Sequence, residues 1–326
     1  SSFIASGCVG SIVGWAKNST VITNVKSSAN VDGSWDVGGL VGCNSSYNGT
    51  SQIANSEYSG VLSNSGGGDL GGIVGYTEIN PEGYIYIAKI NYDSNLFSGS
   101  IRADANYNVG GLYGYGEIYG NSNNSITINN NQSTGSITAY NLDPATNISF
   151  LGGIIGHIYS YLGSNPSGNV IITNNVNNSE VKTNTYVVGG IIGFLYNSGG
   201  SKSIVSGNEN TGAVSSLDND QSGGIIGTME NSDNASQADI SNNIVSGEVY
   251  AKYGRVGGVV GALGWYDEAT YQSTTNVYSN SVLSNVVNDS TDYGAGGLIG
   301  FSYIHDYDSI NIYRNNSEGL VTSNGN

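Results

Sequence analysis

The side chains of this sequence that could do chemistry are few, and most of them are carboxylates. Only His157 and His305 could act as histidine bases, and motifs for nucleophilic catalysis, zinc, phosphate or EF-hand calcium binding are absent. Paired carboxylates are the machinery of glycoside hydrolysis, and the candidate pairs are Asp218 with Asp220, Asp267 with Glu268, Asp289 with Asp292, and Asp306 with Asp308. These pairs lie in loops of different repeats and share no slot, so solvation or weak calcium binding explains them better. A protein without enzymatic activity or cofactor is predicted.

Aromatic side chains are the second candidate for function. Trp35 and Trp265 could stack on a glycan ring. A further row follows the last glycine of a repeated motif and consists of Trp15, Cys43, Tyr76, Tyr115, His157, Phe194, Thr228, Ala262 and Phe301. Two interpretations remain open for this row: an internal aromatic stack, or a line of platforms for sugars. His157 lies in an otherwise largely aromatic slot, which predicts a structural role for it.

The repeat that carries this row recurs about every 36 residues. Its nine copies read VGSIVGW from Val9, VGGLVGC from Val37, LGGIVGY from Leu70, VGGLYGY from Val109, LGGIIGH from Leu151, VGGIIGF from Val188, SGGIIGT from Ser222, VGGVVGA from Val256 and AGGLIGF from Ala295. Self-similarity at such a period is typical of a stacked repeat protein, in which one structural unit is laid upon the next.

A second repeated segment lies between the glycine motifs and has the form apolar-x-x-Asn. Seven copies share one register, and their asparagines are Asn95, Asn131, Asn175, Asn208, Asn243, Asn280 and Asn315. In the first two repeats the corresponding residues, Asn24 and Asn55, come one position earlier. A residue repeated in one slot of a parallel stack forms a ladder, and identical amides can hydrogen-bond from coil to coil. We therefore predict a buried asparagine ladder.

The pattern predicts an all-β fold. Each repeat has three short apolar segments rich in Val, Ile, Thr and Tyr, with no helical period, so three strands per repeat are expected. Stacked in parallel, they would make a single β-solenoid over residues 1–326, with about nine coils and a height of about 43 Å. A propeller is disfavoured because its blades need four strands.

Glycine pairs predict places where the backbone turns sharply or approaches another backbone closely. The pairs on which this prediction rests are Gly38 with Gly39, Gly71 with Gly72, Gly189 with Gly190, and Gly223 with Gly224. By the same register, Cys8 and Cys43 would lie seven positions apart along a strand, roughly 23 Å. A disulfide between them is therefore not expected.

Charge and composition limit the classes of partner that this protein is expected to bind. The net charge is −16 at pH 7 and only 10% of residues are charged, which disfavours nucleic acid and anionic membrane surfaces. No apolar run is long enough to cross a membrane as a helix, and the first ten residues lack the pattern of a signal peptide. The abundance of Ser, Gly and Tyr over Lys favours an extracellular or cell-surface location.

Both ends of the repeat array look uncapped. The sequence opens on "FIAS" and stops at "GLVTSNGN", each resembling the Gly-x-Val strand of a repeat, without an amphipathic helix or polar cap. Open solenoid ends expose unpaired backbone groups and invite pairing. We therefore expect either a segment of a longer chain or a subunit that associates head to tail.

The glycine motifs GGLVG, GGIVG, GGIIG and GGLIG resemble the GLUG motif of microbial surface and secreted proteins. Their combination with apolar-x-x-Asn is also similar to the paired FxxN and GGAI motifs of the chlamydial polymorphic membrane proteins, which are β-helical adhesins. Here Tyr, Ile or Val replaces the Phe of FxxN, and no HExxH metallopeptidase motif is present. The resemblance implies a non-enzymatic adhesive or structural rod that contacts a surface glycan or a protein. A glycan-binding or glycan-cleaving β-helix is the alternative.

Overall fold

A computed structural model shows an all-β chain in which every strand pairs in parallel with its equivalents in the coils before and after it. The structure describes residues 2–5, 7–64, 66–80, 86–103, 108–120, 122–140, 150–160, 168–184, 187–217, 221–231, 235–264, 273–290, 293–303 and 308–323. Within these ranges the chain has no helix, and therefore no long apolar helix of the kind that crosses a membrane. The fold is the predicted parallel β-solenoid.

Five parallel sheets, numbered I to V in the order in which the chain visits them, run along the stack. Sheet I holds the Gly-x-Val segments in ten strands, Ser2–Ala5, Asn30–Gly33, Val61–Asn64, Ser100–Ala103, Ser136–Ala139, Val181–Thr183, Val214–Ser216, Val249–Ala251, Val286–Asn288 and Val321–Ser323. Sheet II holds the first glycine of each pair in nine strands, Val9–Gly10, Val37–Gly38, Leu70–Gly71, Val109–Gly110, Phe150–Gly152, Val187–Gly189, Gln221–Gly223, Arg255–Gly257 and Ala295–Gly296.

Sheets III to V complete each coil with nine strands each. Sheet III begins just after the glycine pair and consists of Val13–Lys17, Val41–Ser46, Val74–Ile79, Tyr113–Ile118, Ile155–Ser160, Ile192–Asn197, Ile226–Asn231, Val260–Leu263 and Ile299–Ser302. Sheet IV consists of Val21–Thr23, Gly49–Ala54, Ala88–Asp93, Ser125–Asn129, Asn169–Thr173, Lys202–Ser206, Gln237–Ser241, Thr274–Tyr278 and Ser309–Tyr313. Sheet V consists of Lys26–Ser27, Glu57–Tyr58, Leu96–Phe97, Gln132–Ser133, Val176–Asn177, Glu209–Asn210, Ile244–Val245, Ser281–Val282 and Asn316–Ser317.

The prediction of three strands per repeat is wrong, because each coil has five. The asparagine segment is split by a residue with positive φ, such as Asn130 at 56° or Asn174 at 57°, which turns the chain from sheet IV into sheet V. Asparagine tolerates this left-handed conformation better than most residues. Asn24 and Asn55 occupy this turn column, with φ of 58° and 52°, which explains their displaced register.

The glycine motif is split at a second corner, between sheets II and III. A Cβ on the first glycine of a pair would overlap a carbonyl three residues later: Gly189 faces the Ile192 oxygen. A Cβ on the third glycine of the motif would overlap the sheet II backbone of the preceding coil. At Gly193, for example, it would overlap the backbone of Leu151. The backbones of the two sheets therefore approach each other closely at these glycines. The predicted close approach is observed, while no glycine of the four named pairs has positive φ.

The interior is one hydrophobic cluster that runs along the stack. Strands of sheet IV alternate buried and half-exposed residues, as in Ser125–Asn129, where Ile126 and Ile128 are buried. Ile191 and Ile192, adjacent in the chain, both belong to this cluster because the corner between sheets II and III separates them. Each coil therefore contributes side chains to one shared core.

Cys8 and Cys43 form a disulfide with a Cα–Cα distance of 5.4 Å, so the expectation that they lie far apart is wrong. A distance counted along a straight strand fails because the chain reverses direction at the corner between sheets II and III. This reversal brings the residue two before the first glycine opposite the residue five after it. Cys43 pairs in register with Trp15 of the first coil, so the bond joins that coil to the next.

Removing this bond should loosen the first coil alone. Because repeats contact mainly their neighbours, Cys8→Ser should lower the free energy needed to open the first coil by about 3–4 kcal/mol, the value for a loop of this length. Hydrogen exchange should accelerate in Val13–Lys17 and stay unchanged in Lys202–Ser206. Cys43→Ser should reproduce the pattern. Uniform acceleration along the whole stack would show that the bond does not act locally.

Candidate functional site

The outer face of sheet III, together with the residues that precede sheet II, forms the most chemically varied surface described. Its first row is the row found in the sequence, and successive members are in register, as Tyr76 with Tyr115, Tyr115 with His157, and His157 with Phe194. A second row lies two residues later on the same side of the strands and consists of Lys17, Ser45, Glu78, Glu117, Tyr159, Tyr196 and Glu230.

A third row, the pre-glycine row, comes from the residues two positions before the first glycine. It consists of Cys8, Asp36, Asp69, Asn108, Phe150, Val187, Gln221 and Arg255. The chain reversal places this row against the first row. Phe150 lies 4.8 Å from His157 between ring centroids, and Gln221 accepts a hydrogen bond from Thr228 at 2.5 Å. We call the three rows together the sheet III face.

Aromatic rings form a nearly continuous strip over four coils of this face. Phe150 stacks on Phe194 with centroids 4.6 Å apart and planes at 19°, and Tyr159 stacks on Tyr196 at 4.6 Å and 14°. Tyr115 lies tilted against His157 at 4.9 Å. Most of these rings are half-exposed, so the strip is both an internal stack and a surface that a ligand could reach. The two interpretations left open by the sequence are therefore compatible.

Glu117 is the polar centre of the strip, because three tyrosine hydroxyls donate to its carboxylate. Tyr76 donates to Oε1, while Tyr119 and Tyr115 donate to Oε2 at 2.6 and 3.3 Å. Burial raises the pKa of all three tyrosines far above the ordinary value, and the Glu117 charge raises it further. The phenols therefore keep their protons and hold the carboxylate in place.

A second polar chain links Asp69, Asn108 and His157. Asn108 donates through Nδ2 to Asp69 Oδ1 at 2.7 Å, and its Oδ1 lies 3.2 Å from His157 Nδ1. Burial, then the nearby charge of Asp36, raises the pKa of Asp69 to about 8. Burial lowers the pKa of His157 to about 3. At neutral pH the imidazole is therefore uncharged and Asp69 is largely protonated.

The Nε2 atom of His157 is buried and has no hydrogen-bond partner. An unsatisfied buried polar atom costs stability, and Phe194 shows that the next coil fills the same slot with a carbon ring. The packing of the fold therefore does not require an imidazole at this position.

The free energy of unfolding of the His157→Phe variant should depend less on pH than that of the wild type, because the variant has no buried imidazole. The folded-state pKa of about 3 is below the ordinary 6.5, so wild-type stability is complete above pH 6.5 and falls as the unfolded chain takes up a proton. His157→Phe should remove about 2 kcal/mol of the loss between pH 6.5 and 4.5. Urea denaturation at both pH values measures it.

Asp69→Asn provides a control with the opposite sign. The folded-state pKa of Asp69 is raised, so its contribution is complete below pH 3.8 and is lost as the pH rises toward 8. Asp69→Asn should therefore stabilise the fold at pH 8 and have little effect at pH 4. Parallel pH profiles for both variants would show that neither group is perturbed in the folded state.

Those remaining sequence candidates that the structure describes do not gather at one site. Trp35 is 59% exposed, and its carbonyl accepts a hydrogen bond from Asn64. Trp265 and His305 lie outside the described residues, as do Asp218, Asp220, Asp267, Glu268, Asp292 and Asp306. Asp289 accepts from Tyr250 and Asp308 from the Ser273 amide, at 2.7 and 2.8 Å. Among described residues, the one group with metal-ligand spacing is Cys8, Asp36 and Cys43, two of which form the disulfide.

The predicted asparagines are brought together in one column. Asn131 donates through its backbone N–H and its Nδ2 to Asn175 Oδ1, each at 3.0 Å. The same pair of hydrogen bonds recurs in each following coil down to Asn315. Ser56 takes the slot in the second coil and accepts from the Val25 amide at 3.2 Å. This column lies at the corner between sheets IV and V and positions the stack rather than a ligand.

The two connections that border the sheet III face vary most in length. The connection from sheet IV to V is always two residues, as is that from II to III, and that from V to I is two or three. The connection from sheet III to IV ranges from two residues, 47–48, to ten, 264–273. The connection from sheet I to II reaches ten, 140–149. Insertions therefore occur at both borders of the face, before sheet II and after sheet III.

These features define the chain as a tandem-repeat β-solenoid with an aromatic and acidic face. Comparison with protein-family models, with curated proteins and with solved structures finds no match to this chain.

Proposed function

We propose that this protein is a non-enzymatic, extracellular adhesive rod that contacts its partner through the sheet III face. The observation that carries the proposal is the coincidence of the half-exposed aromatic strip with the two connections whose length varies most among the described coils. Variable loops on a fixed scaffold are where binding residues concentrate in proteins. The other three connections stay short and nearly constant, as expected of a scaffold.

Rigidity of the stack supports a mechanical role. Five parallel sheets and the asparagine column link each coil to the next, so force applied along the axis is shared by many hydrogen bonds. Solenoids of this kind present extended binding surfaces whose shape is fixed by the stack. The disulfide supports an oxidising, extracellular compartment.

A bead assay tests the proposal. Beads coated with the full chain should adhere to a panel of microbial and animal cells under flow, and the triple variant Tyr115→Ala, Tyr159→Ala, Tyr196→Ala should lose adhesion. The matched control is Tyr278→Ala with Tyr313→Ala, which removes a stacked pair 5.0 Å apart on the outside of sheet IV. Equal adhesion of both variants, or no adhesion by the wild type, contradicts the proposal. So does release of reducing ends from polysaccharides, which would indicate catalysis.

A further inference from the structure

We infer that the sheet III face binds an uncharged oligosaccharide along the solenoid axis, with its rings on the aromatic strip and its hydroxyls donating to the Glu117 centre. This inference rests on the proposed function and names the ligand class for its binding face. The strip from Tyr76 to Phe194 spans four coils, about 14 Å, because strands in a sheet lie about 4.8 Å apart. That length suits an extended chain of a few sugar rings.

The aromatic strip offers what a sugar ring needs for packing. Pyranose rings have one or two faces made mostly of C–H groups, and these pack on aromatic rings as other apolar groups do. The Tyr159–Tyr196 pair and the Phe150–Phe194 pair are each nearly parallel stacks with 4.6 Å between centroids. Both pairs span the same two coils, and Phe194 lies 6.5 Å from Tyr196, so together they form one apolar surface on which a sugar ring can pack.

The Glu117 centre presents hydrogen-bond acceptors and few donors. Tyr76, Tyr115 and Tyr119 each donate a hydroxyl hydrogen bond to the carboxylate, so their oxygens keep lone pairs that can accept a hydrogen bond from a ligand. An ionised carboxylate has about four acceptor positions, of which three are used. A ligand that matches this centre must donate, and a polyhydroxylated ligand does so at many positions.

Charge excludes acidic glycans. In the coils from that of Cys43 to that of Thr228, the three rows contain Asp36, Asp69, Glu78, Glu117 and Glu230 and no Lys or Arg. The cations of the rows lie at the ends of the face, where Lys17 packs over Trp15 and Arg255 over Phe301, each at 4.0 Å. Uronates, sulfated glycans and sialic acids would meet the Glu78 and Glu117 carboxylates over the strip with no cation beside them, while Asp69, largely protonated at neutral pH, adds little to the repulsion.

Binding of defined oligosaccharides to the full-length chain tests the inference. Isothermal titration with cellohexaose, maltohexaose, mannohexaose and chitohexaose should find binding to at least one of them, and none to oligogalacturonate or heparin. Tyr159→Ala with Tyr196→Ala should weaken that binding at least about tenfold, because two stacking contacts are lost. Glu117→Gln should weaken it about three- to tenfold, because a charge-assisted acceptor becomes a neutral amide. Thermal melting confirms that each variant is folded.

The control is again Tyr278→Ala with Tyr313→Ala, which should change the affinity less than about twofold. Binding of heparin or oligogalacturonate alone, or equal affinity of strip and control variants, overturns the inference. Bead adhesion that depends on the strip, resists all four neutral hexasaccharides and is abolished by protease treatment of the target cells also overturns it. That last result indicates a protein partner and leaves the adhesive function standing, whereas adhesion that does not depend on the strip contradicts both.

Discussion

Gly190→Ala should destabilise the solenoid by about 4 kcal/mol or more, enough to prevent stable folding of the coils around it. A Cβ at this position would overlap the Gly224 carbonyl oxygen of the next coil and the Asn210 side chain. Gly224 lies at the corner between sheets II and III, and the buried Asn210 side chain is fixed by hydrogen bonds with Asn177 and the Gly212 carbonyl, so neither obstacle can move aside without disturbing the stack. Overpacking of this kind cannot be relieved by a change of rotamer.

Gly116→Ala is the matched control, since Gly116 is also buried but lies within a strand of sheet III, away from the corner with sheet II. The nearest atoms to an added Cβ are Ile126 Cδ1 at 3.6 Å and Ile158 Cγ1 at 3.7 Å, which are ordinary contacts. Its register partners are Thr77 and Ile158, so neighbouring coils carry larger side chains there. Gly116→Ala should raise stability by about 0.5–1 kcal/mol through the unfolded chain. Thermal melts that fall equally for both variants would show that close backbone approach is not the reason for the glycine pair.

The stacking of the coils could be predicted from the sequence because the motifs repeat. The path of the chain within each coil could not be predicted in this way. A slot shared by seven asparagines requires alignment, and the hydrogen bonds from Asn131 to Asn175 and onward follow from it. The five-strand coil was missed because a single left-handed residue, such as Asn174, splits a segment that reads as one strand. Backbone conformation at one residue changes the direction of the chain without altering the apolar pattern around it.

The pre-glycine row was missed for the same reason. Its members contact the first row only because the chain reverses between sheets II and III, and a linear count along the strand places them far apart. Cys8 and Cys43 were the available signal, since two cysteines at positions −2 and +5 around the glycines in adjacent repeats are explained by such a reversal. The residue pairs Phe150 with His157 and Gln221 with Thr228 repeat the same spacing within single coils.

Glu117 shows why a search for acidic residues close together in the sequence did not find the polar centre of the candidate site. It has no acidic neighbour in the chain and receives its partners from three coil positions, of which Tyr76 belongs to the preceding coil. A carboxylate flanked by tyrosines at −2 and +2 in the motif YGEIY is a weak local signal. It becomes specific only when the register of sheet III adds the third hydroxyl.

Asn208→Ala should cost about 3–5 kcal/mol, the largest effect expected of a substitution that leaves the backbone path unchanged. Asn208 Oδ1 accepts from both the backbone amide and the Nδ2 of Asn175, and its own Nδ2 donates to Asn243 Oδ1 and to the Ile172 carbonyl, all at 3.0 Å. Alanine leaves these groups buried without partners, and each unsatisfied group carries a desolvation penalty. Urea denaturation with hydrogen exchange at the Asn175 amide measures the loss.

Position along the column provides the control for this prediction. Asn315 accepts from Asn280 but is half-exposed in the last described coil, so water can replace what Asn315→Ala removes, and the cost should be about 1 kcal/mol. Asn208→Ser should recover part of the stability, because Ser56 already accepts from the Val25 amide in the same slot. If Asn208→Ala and Asn315→Ala cost the same, the amides contribute as independent turn residues, and cooperation between coils through the column would have to be abandoned.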